Sequence, residues 1–453
     1  MDSSPTVAGR IAGGVRAASP ERWGEPIGGT ETDSADPEER GQRVGGRLGT
    51  MGLAGLLLLA GSALRAEDWA RWRGPRMDGV SLEKGLIRTW PAEGPKVAWK
   101  RELTGGYSAV VVSRGRLITH VRDGADEVLW CLDANTGEPA WQHRYPVDYD
   151  AHPTLDQRFK SGPRATPLVE GDLVYSIGTT GVVSCVEFQT GKPLWSLNLM
   201  EFAGRACPEF GYCNSPIIEG NRLFLHPGGK NGRSLAAVDP RTGRVLWTAL
   251  DDAIGYSTPY LLSVGEQRQL IHFTAEGLVA VAPDSGRVLW RYAWKTNFDL
   301  NCATPIHFDG HVFLSSNYGR GCALIRLQPG GEPVEVYRSQ QMTNHFSTSI
   351  YYQGHLYGFD TNRLRCLNAM TGEVRWEQRG LGRGALTLAD GKLIVLGEQG
   401  DLVLATAAPE KYEETARWKA LQGICWSAPV LANGRLYLRN EKSMLAVDLR
   451  ERP

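Results

Sequence analysis

Short apolar runs of strand length, bounded by polar residues, recur along the 453-residue chain from about residue 95 onwards. Runs such as Arg222-Leu-Phe-Leu225 and Arg435-Leu-Tyr-Leu438 follow a turn residue paired with Gly: Glu219-Gly220 and Asn433-Gly434. The other pairs are Arg114-Gly115, Glu170-Gly171, Val264-Gly265, Asp309-Gly310, Gln353-Gly354 and Asp390-Gly391. Gly supplies the positive φ that tight hairpin turns need, so each pair predicts a hairpin. A strand start precedes each hairpin, as in Ala165-Thr-Pro167, Asn214-Ser-Pro216, Ser257-Thr-Pro259, Ala303-Thr-Pro305 and Ser427-Ala-Pro429.

A second pattern runs in step with the first. It is clearest in Ala237-Val-Asp-Pro-Arg-Thr-Gly-Arg-Val-Leu-Trp247 and Cys131-Leu-Asp-Ala-Asn-Thr-Gly-Glu-Pro-Ala-Trp141. The closing aromatic falls at Trp99, Trp141, Trp195, Trp247, Trp290, Tyr337, Trp376 and Trp418. A period of roughly 40 to 50 residues in strand-rich sequence predicts a propeller or an array. Each unit reads as strand, hairpin, strand, connection, strand, Asp/Asn-x-x-Thr-Gly turn, and a last strand carrying the aromatic. That is a four-stranded antiparallel blade, with the indole wedged against the next blade and its N–H partnered. The copies around Tyr337 and before Trp418 lack the Thr-Gly turn but keep their flanking strands.

The last unit stops after Ala446-Val-Asp-Leu449 without a closing aromatic, while Trp99 has no unit before it. Pairing these two segments closes the ring and removes the exposed sheet edge. The expected fold is therefore all-β: an eight-bladed β-propeller of four-stranded antiparallel blades over 95–453, sealed by its N- and C-terminal strands.

Residues 1–50 are rich in Gly, Pro, Ser, Glu and Arg without a period, and read as disordered or as a misassigned upstream extension. Arg43 and Arg47, the apolar run Met51 to Ala60 and small residues up to Ala66 read as a signal peptide over 51–66. The run is too short to span a bilayer. Residues 67–94 contain Trp69, Trp72 and Trp90 and read as a strap packed on the ring. The mature chain is expected to be periplasmic or secreted, monomeric and without a transmembrane segment.

The 50 basic and 50 acidic residues balance, and no Lys/Arg block stands out in the propeller, so no nucleic-acid partner is expected. Of eight cysteines, Cys131, Cys185 and Cys366 hold the position of Ala237 and Ala280 in sister repeats and read as small buried residues. Cys207 and Cys213 flank a short loop and are the candidate disulfide. No zinc spacing occurs, and no metal site is expected. Asp299 with Asn301, Asp148 with Asp150, and His307 with His311 are weak ligand pairs at most.

The residue three before the Pro position should repeat around one mouth of the channel. It reads Tyr107, Arg164, Cys213, Tyr256, Cys302, Phe346, Arg383 and Trp426, with Tyr212, Asn301 and His345 beside it. The candidate binding rim is Tyr107, Arg164, Tyr212, Tyr256, Asn301, His345, Phe346, Arg383 and Trp426. Aromatics and arginines converging there suit a planar or anionic ligand, or else plug the channel. Catalytic residues are not assignable: no Ser/His/Asp order or paired-carboxylate signature stands out. The longest loops, Trp141 to Arg164, Trp195 to Cys213 and Trp290 to Cys302, should enter the same face, where a rigid scaffold usually carries function.

The Asp-x-x-Thr-Gly-x-x-x-Trp repeat and the Ala/Ser-Thr-Pro strand starts resemble the pyrroloquinoline-quinone (PQQ)-type propeller repeat, over Lys96 to Leu449. The resemblance is to the propeller subunit of the outer-membrane β-barrel assembly machinery and, more distantly, to quinoprotein alcohol dehydrogenases. The first implies an exported non-catalytic module that binds an envelope protein or polymer and carries no cofactor. The second implies a PQQ-dependent dehydrogenase acting on an alcohol or sugar, with calcium. That group holds its quinone against a disulfide of adjacent cysteines, and this chain has no adjacent pair. The lipid-anchoring Cys of the assembly subunit is also missing. The non-catalytic reading is the expectation.

Overall fold

The structure, a computed structural model, describes residues 67–152, 155 and 162–451. The N-terminal extension, the signal-peptide segment and Arg158 in the first long loop lie outside the described residues.

The described strands form eight antiparallel four-stranded sheets, each ordered from the ring axis outward. Seven are continuous in sequence, at 111–146, 168–198, 217–249, 260–293, 306–339, 350–378 and 385–419. We number them blades 1 to 7. Blade 8 combines three strands within 430–448 with Val97–Glu102 as its outermost strand. Val97 pairs with Val447, Trp99 with Ala446 and Glu102 with Ser443, all antiparallel. The beginning of the ring is thus hydrogen-bonded to its end, as the sequence pattern predicts, and no blade is left with an open closing edge.

The repeated residues explain the blade interfaces. The Asp or Asn of the turn caps it: Asp239 Oδ1 accepts from the amides of Arg241 and Thr242, and Asn368 Oδ1 from those of Met370 and Thr371. The following Gly has positive φ, as at Gly243 (+69°). A Cβ on Gly243 would lie 2.8 Å from the Trp195 ring of the preceding blade. The turn Gly therefore serves two purposes, left-handed backbone and a flat seat for the neighbour's indole. The same contact recurs between Trp99 and Gly137, Trp141 and Gly191, and Trp247 and Gly286.

Indole N–H groups reach a carbonyl of the next blade's turn: Trp141 to Phe188 O at 2.8 Å, Trp195 to Pro240 O at 2.9 Å and Trp247 to Pro283 O at 3.1 Å. Trp376 keeps the bond although the next turn lacks Thr-Gly, donating to Ala408 O at 2.8 Å, but the bond of Trp290 is rerouted. Trp290 donates instead to Gln269 of its own blade at 2.8 Å. For blade 7 the missing seat comes from the strap, because Gly94 lies under the Trp418 ring. Across the sheet from the aromatic stands a small residue: Cys131 opposite Trp141, Cys185 opposite Trp195, Cys366 opposite Trp376. All three thiols are fully buried.

Segment 67–94 winds across one mouth of the channel. Trp69 bridges to Val112 of blade 1, Ala70 O accepts from Val169 of blade 2, and Arg71 pairs with Glu170. The Trp72 indole donates to Thr304 of blade 5 at 3.0 Å. Buried Arg73 donates to the carbonyls of Met77, Asp78, Thr348 and Ser349. Val80–Ser81 adds a parallel strand to blade 7, and Glu83 accepts from the amides of Asn433 and Gly434 in blade 8. No described helix is long and apolar enough to cross a membrane.

Candidate functional site

The innermost strands are tied to one another by their opening residues. Ser215 Oγ accepts from the Thr166 amide, Thr258 Oγ1 from that of Ser215, and Thr348 Oγ1 from that of Thr304. Ser427 Oγ donates to Tyr107 O across the closure. This is why Ser and Thr recur at the strand starts. The girdle holds the preceding residues at a fixed distance from the axis.

Those preceding residues enclose one cavity of about 380 Å³. Its lining includes the whole repeating series: Tyr107, Arg164, Cys213, Tyr256, Cys302, Phe346, Arg383 and Trp426. His345 joins them, and loop residues Phe210, Leu300 and Tyr318 complete the wall. Trp72, from the strap, also lines it. The strap that crosses one mouth of the channel thus forms part of the cavity wall.

Tyr212 and Asn301 do not belong to this lining, a correction to the rim expected from sequence. Each immediately precedes a lining residue, but its side chain is buried between blades, unlike that of His345, which shares the wall with Phe346. Tyr212 is buried between blades 2 and 3 and donates to Pro227 O at 3.2 Å. Asn301 is fully buried, donates to Thr274 O and Trp294 O, and accepts from Ser316 Oγ at 2.8 Å. The Cys207–Cys213 disulfide is likewise corrected: both are free thiols, Cys207 directed to Thr179 O and Cys213 to Phe210 O and Gly211 O.

One wall is a chain of rings. Tyr107 lies 5.2 Å from Trp426, Trp426 5.1 Å from Phe346, Phe346 5.3 Å from His345 and His345 5.5 Å from Tyr318, between centroids. Phe298 extends the chain at 6.0 Å from Tyr318. Opposite, Phe210 meets Tyr256 edge-on at 5.7 Å. Polar tips are anchored away from the lumen: Trp426 Nε1 donates to Glu398 and Tyr107 Oη to Glu441.

Among the described residues, no Asp or Glu lines the cavity. The Arg164 guanidinium is held at 3.3 Å from both Gly162 O and Phe210 O and lies 5.7 Å from the Tyr107 ring. Arg383 is anchored through its backbone amide to Glu398 at 3.1 Å, and its guanidinium makes no hydrogen bond or ion pair among the described residues. Burial, helped by Arg383 and opposed by Glu398, pulls His345 down to about 4, so it is neutral at neutral pH. Burial pushes the Cys213 thiol up to about 11, against the pull of Arg164, and raises Cys302 as well. Both stay protonated and are poor nucleophiles.

Trp72, Phe210 and Tyr318 were not legible as lining. Phe298 and Tyr318 share a local signal, since both take positive φ without being glycine (63° and 58°). A group of three or more His, Cys, Asp or Glu able to hold a metal ion does not occur among the described residues. Of the weak pairs, Asp148 Oδ1 caps the Ala151 amide, Asn301 is spent on its buried bonds, and His311 Nδ1 faces Asp309 O in its own turn.

The family model PQQ_2, described as outer membrane protein assembly factor BamB, matches residues 79–152 and 147–346, more than half of the chain. The chain belongs to this family. It is 24% identical over 248 residues to the outer membrane protein assembly factor BamB of Yersinia pestis, covering 53% of this chain and 56% of that protein. The BamB of Moranella endobia is 23% identical over 259 residues, covering 53% of this chain and 64% of that protein. Each match therefore spans less than two thirds of the relative's own length.

Among solved structures, BamB from Moraxella catarrhalis superposes with a TM-score of 0.56 at 15% identity, covering 78% of this chain and all of that one. The quinohemoprotein alcohol dehydrogenase of Comamonas testosteroni gives 0.62 at 12% identity, covering 86% and 82%. At these identities the likeness is one of fold.

Proposed function

We propose that this protein is an exported, non-catalytic propeller that docks a protein of the cell envelope on its loop-bearing face. The observation that carries the reading is membership of the BamB family across more than half of the chain. The relatives' names tie them to outer-membrane protein assembly. The surface agrees with a docking role. Phe298 is 69% and Tyr318 41% exposed, beside the cavity mouth. Both sit on left-handed backbone, a conformation a bulky residue adopts only where the surroundings impose it. The apolar run within 51–66 supports export, and with it a periplasmic site of action.

The dehydrogenase alternative is not favoured by the lining. A calcium-held quinone needs carboxylate ligands, and among the described residues the cavity wall presents none. Cys213 and Cys302 are far apart in sequence and cannot supply the vicinal disulfide of that group.

The test is crosslinking of the purified mature protein to an envelope extract, compared with a Phe298→Ala/Tyr318→Ala double variant. A specific protein partner that the double variant loses supports the reading. Absence of any specific partner, or quinone-dependent alcohol oxidation on adding the quinone and calcium, overturns it.

A further inference from the structure

We propose that the mouth crossed by the strap carries a docking groove for an extended, uncharged apolar peptide, which adds a strand to the axis-facing edge of the inner strand of blade 4. This goes beyond the docking reading and does not depend on it, since it uses the strap and the hairpin ends of blades 3 to 5 rather than the loop-bearing face. Three observations converge.

The first is that the chain already uses this mode on itself. At three blades the strap covers the inner strand. Trp69 and Val112 of blade 1 exchange both backbone bonds, at 2.8 and 2.9 Å. The Val169 amide of blade 2 donates to Ala70 O at 2.8 Å. Val80–Ser81 runs parallel to Leu388 and Ala389 of blade 7, whose inner strand is five residues long. The inner strand of blade 4, Tyr260–Val264, is equally long. Among the described residues its backbone pairs only with Gln267–Thr274 of its own hairpin, so its axis-facing edge is open. Such an edge is a template for a further strand.

The second is the groove beside that edge. Next to blade 4 the strap leaves a space of about 320 Å³, within the range of ligand-binding clefts. Ile217, Ile218, Leu261, Leu262 and Ile306 of blades 3 to 5 line it, with Met77 of the strap. The far wall is rigid, because Arg73 clamps the strap loop through the carbonyls of Met77, Asp78, Thr348 and Ser349. Arg73 and Met77 both hold left-handed backbone, at φ 59° and 57°. Met77 is the adaptable part, since an unbranched thioether side chain repacks around different apolar partners. Backbone pairing at the edge supplies affinity, and the apolar floor receives alternate side chains.

The third is charge. The arginines that line the groove are already matched: Arg268 with Glu219 at 2.6 Å, Arg76 with Asp78 at 3.3 Å and Arg71 with Glu170 at 2.7 Å. No field of one sign remains to recruit a charged segment. A charge brought onto the apolar floor would lose its hydration without gaining a partner. The occupant is therefore neutral along the stretch that pairs with blade 4.

The probe is the peptide acetyl-Thr-Val-Thr-Val-Thr-amide, titrated into the purified mature chain with hydrogen–deuterium exchange read by mass spectrometry. Saturable protection of 258–264 and 71–78 is expected. The same peptide methylated on its three central amide nitrogens keeps its side chains but loses its strand donors, and should bind at least tenfold weaker. Met77→Glu should weaken the probe at least tenfold with circular dichroism unchanged, whereas Met370→Glu, at an exposed methionine outside the groove, should bind as the parent does. The exchange map on the parent chain needs no substitution and decides the outcome even where Met77→Glu fails to fold. The Phe298→Ala/Tyr318→Ala variant should bind the probe undiminished, which separates this groove from the loop-bearing face. The proposal fails if the probe protects nothing, if protection falls on the outer strands of the blades instead, or if the methylated peptide binds equally well. It fails too if 258–264 becomes protected on raising the protein concentration without peptide, which makes a second copy of the chain the occupant.

Discussion

The belt of aromatics on the outer strands and the ring of aromatics on the axis use similar side chains for opposite purposes. On the belt, the same residue recurs in blade after blade, lies on a glycine and donates to a backbone carbonyl of the next blade. On the axis, equivalent positions carry Tyr, Arg, Cys, Phe and Trp in turn, and together they leave a space unfilled. Repetition marks the positions that hold blades together. Variation at an equally periodic position marks one released from that duty, and the cavity is built from such positions.

The comparison breaks most sharply by truncation. Trp141→Ala should cost about 3–5 kcal/mol, the usual range for a buried large aromatic, and Trp426→Ala clearly less, because one of its faces borders the cavity. Chemical denaturation of both variants measures the difference; equal losses would erase the distinction between belt and axis. Arg73→Ala should follow at about 2–4 kcal/mol, since four carbonyls of the strap and blade 6 lose their donor together. Faster proteolysis within 67–94 should accompany it.

Glycine sharpens the contrast. Gly243→Ala places a Cβ against Trp195 on left-handed backbone, whereas Gly354 (φ +79°) has open space around it. Gly354→Ala should cost about 1 kcal/mol from backbone alone, and Gly243→Ala measurably more, by thermal or urea unfolding.

Acid should loosen the blade interfaces. Burial holds His120 at about 4, His226 at about 3 and His272 well below its ordinary value. All three bind protons more readily unfolded, so their contribution is fully present above about pH 6.5 and falls as the pH drops toward the folded values. The slope is up to about 1.4 kcal/mol per pH unit for each histidine. Urea midpoints should therefore fall from pH 7.5 to pH 5, and less so in a His226→Gln/His272→Gln variant. The smallest effect is expected at the lip: Phe298→Ala should change stability by less than about 0.5 kcal/mol, as an exposed substitution does, while reducing partner crosslinking.

Much of this was legible because the fold is periodic. The hairpin glycines, the Thr-Gly turns and the closing aromatics report local requirements, so their recurrence was enough to count eight blades and to pair Val97–Glu102 with the C-terminal strand. The same register located all eight axis residues of the cavity lining. Tyr212 and Asn301 were misplaced because standing next to an axis residue does not fix where a side chain points: His345, in the equivalent place, does reach the cavity. Cys207 and Cys213 looked like a disulfide on spacing alone, but spacing does not report where the two thiols point.

The amino-acid sequence by itself determined the blade, the number of blades, the closure and which residues stand on the axis, because each follows from a pattern within one repeat. Only the tertiary structure decided that those residues leave a cavity rather than a plug, and that Trp72 reaches it from outside the ring. These depend on distances across the ring between segments that are remote in the chain, and no periodicity encodes them.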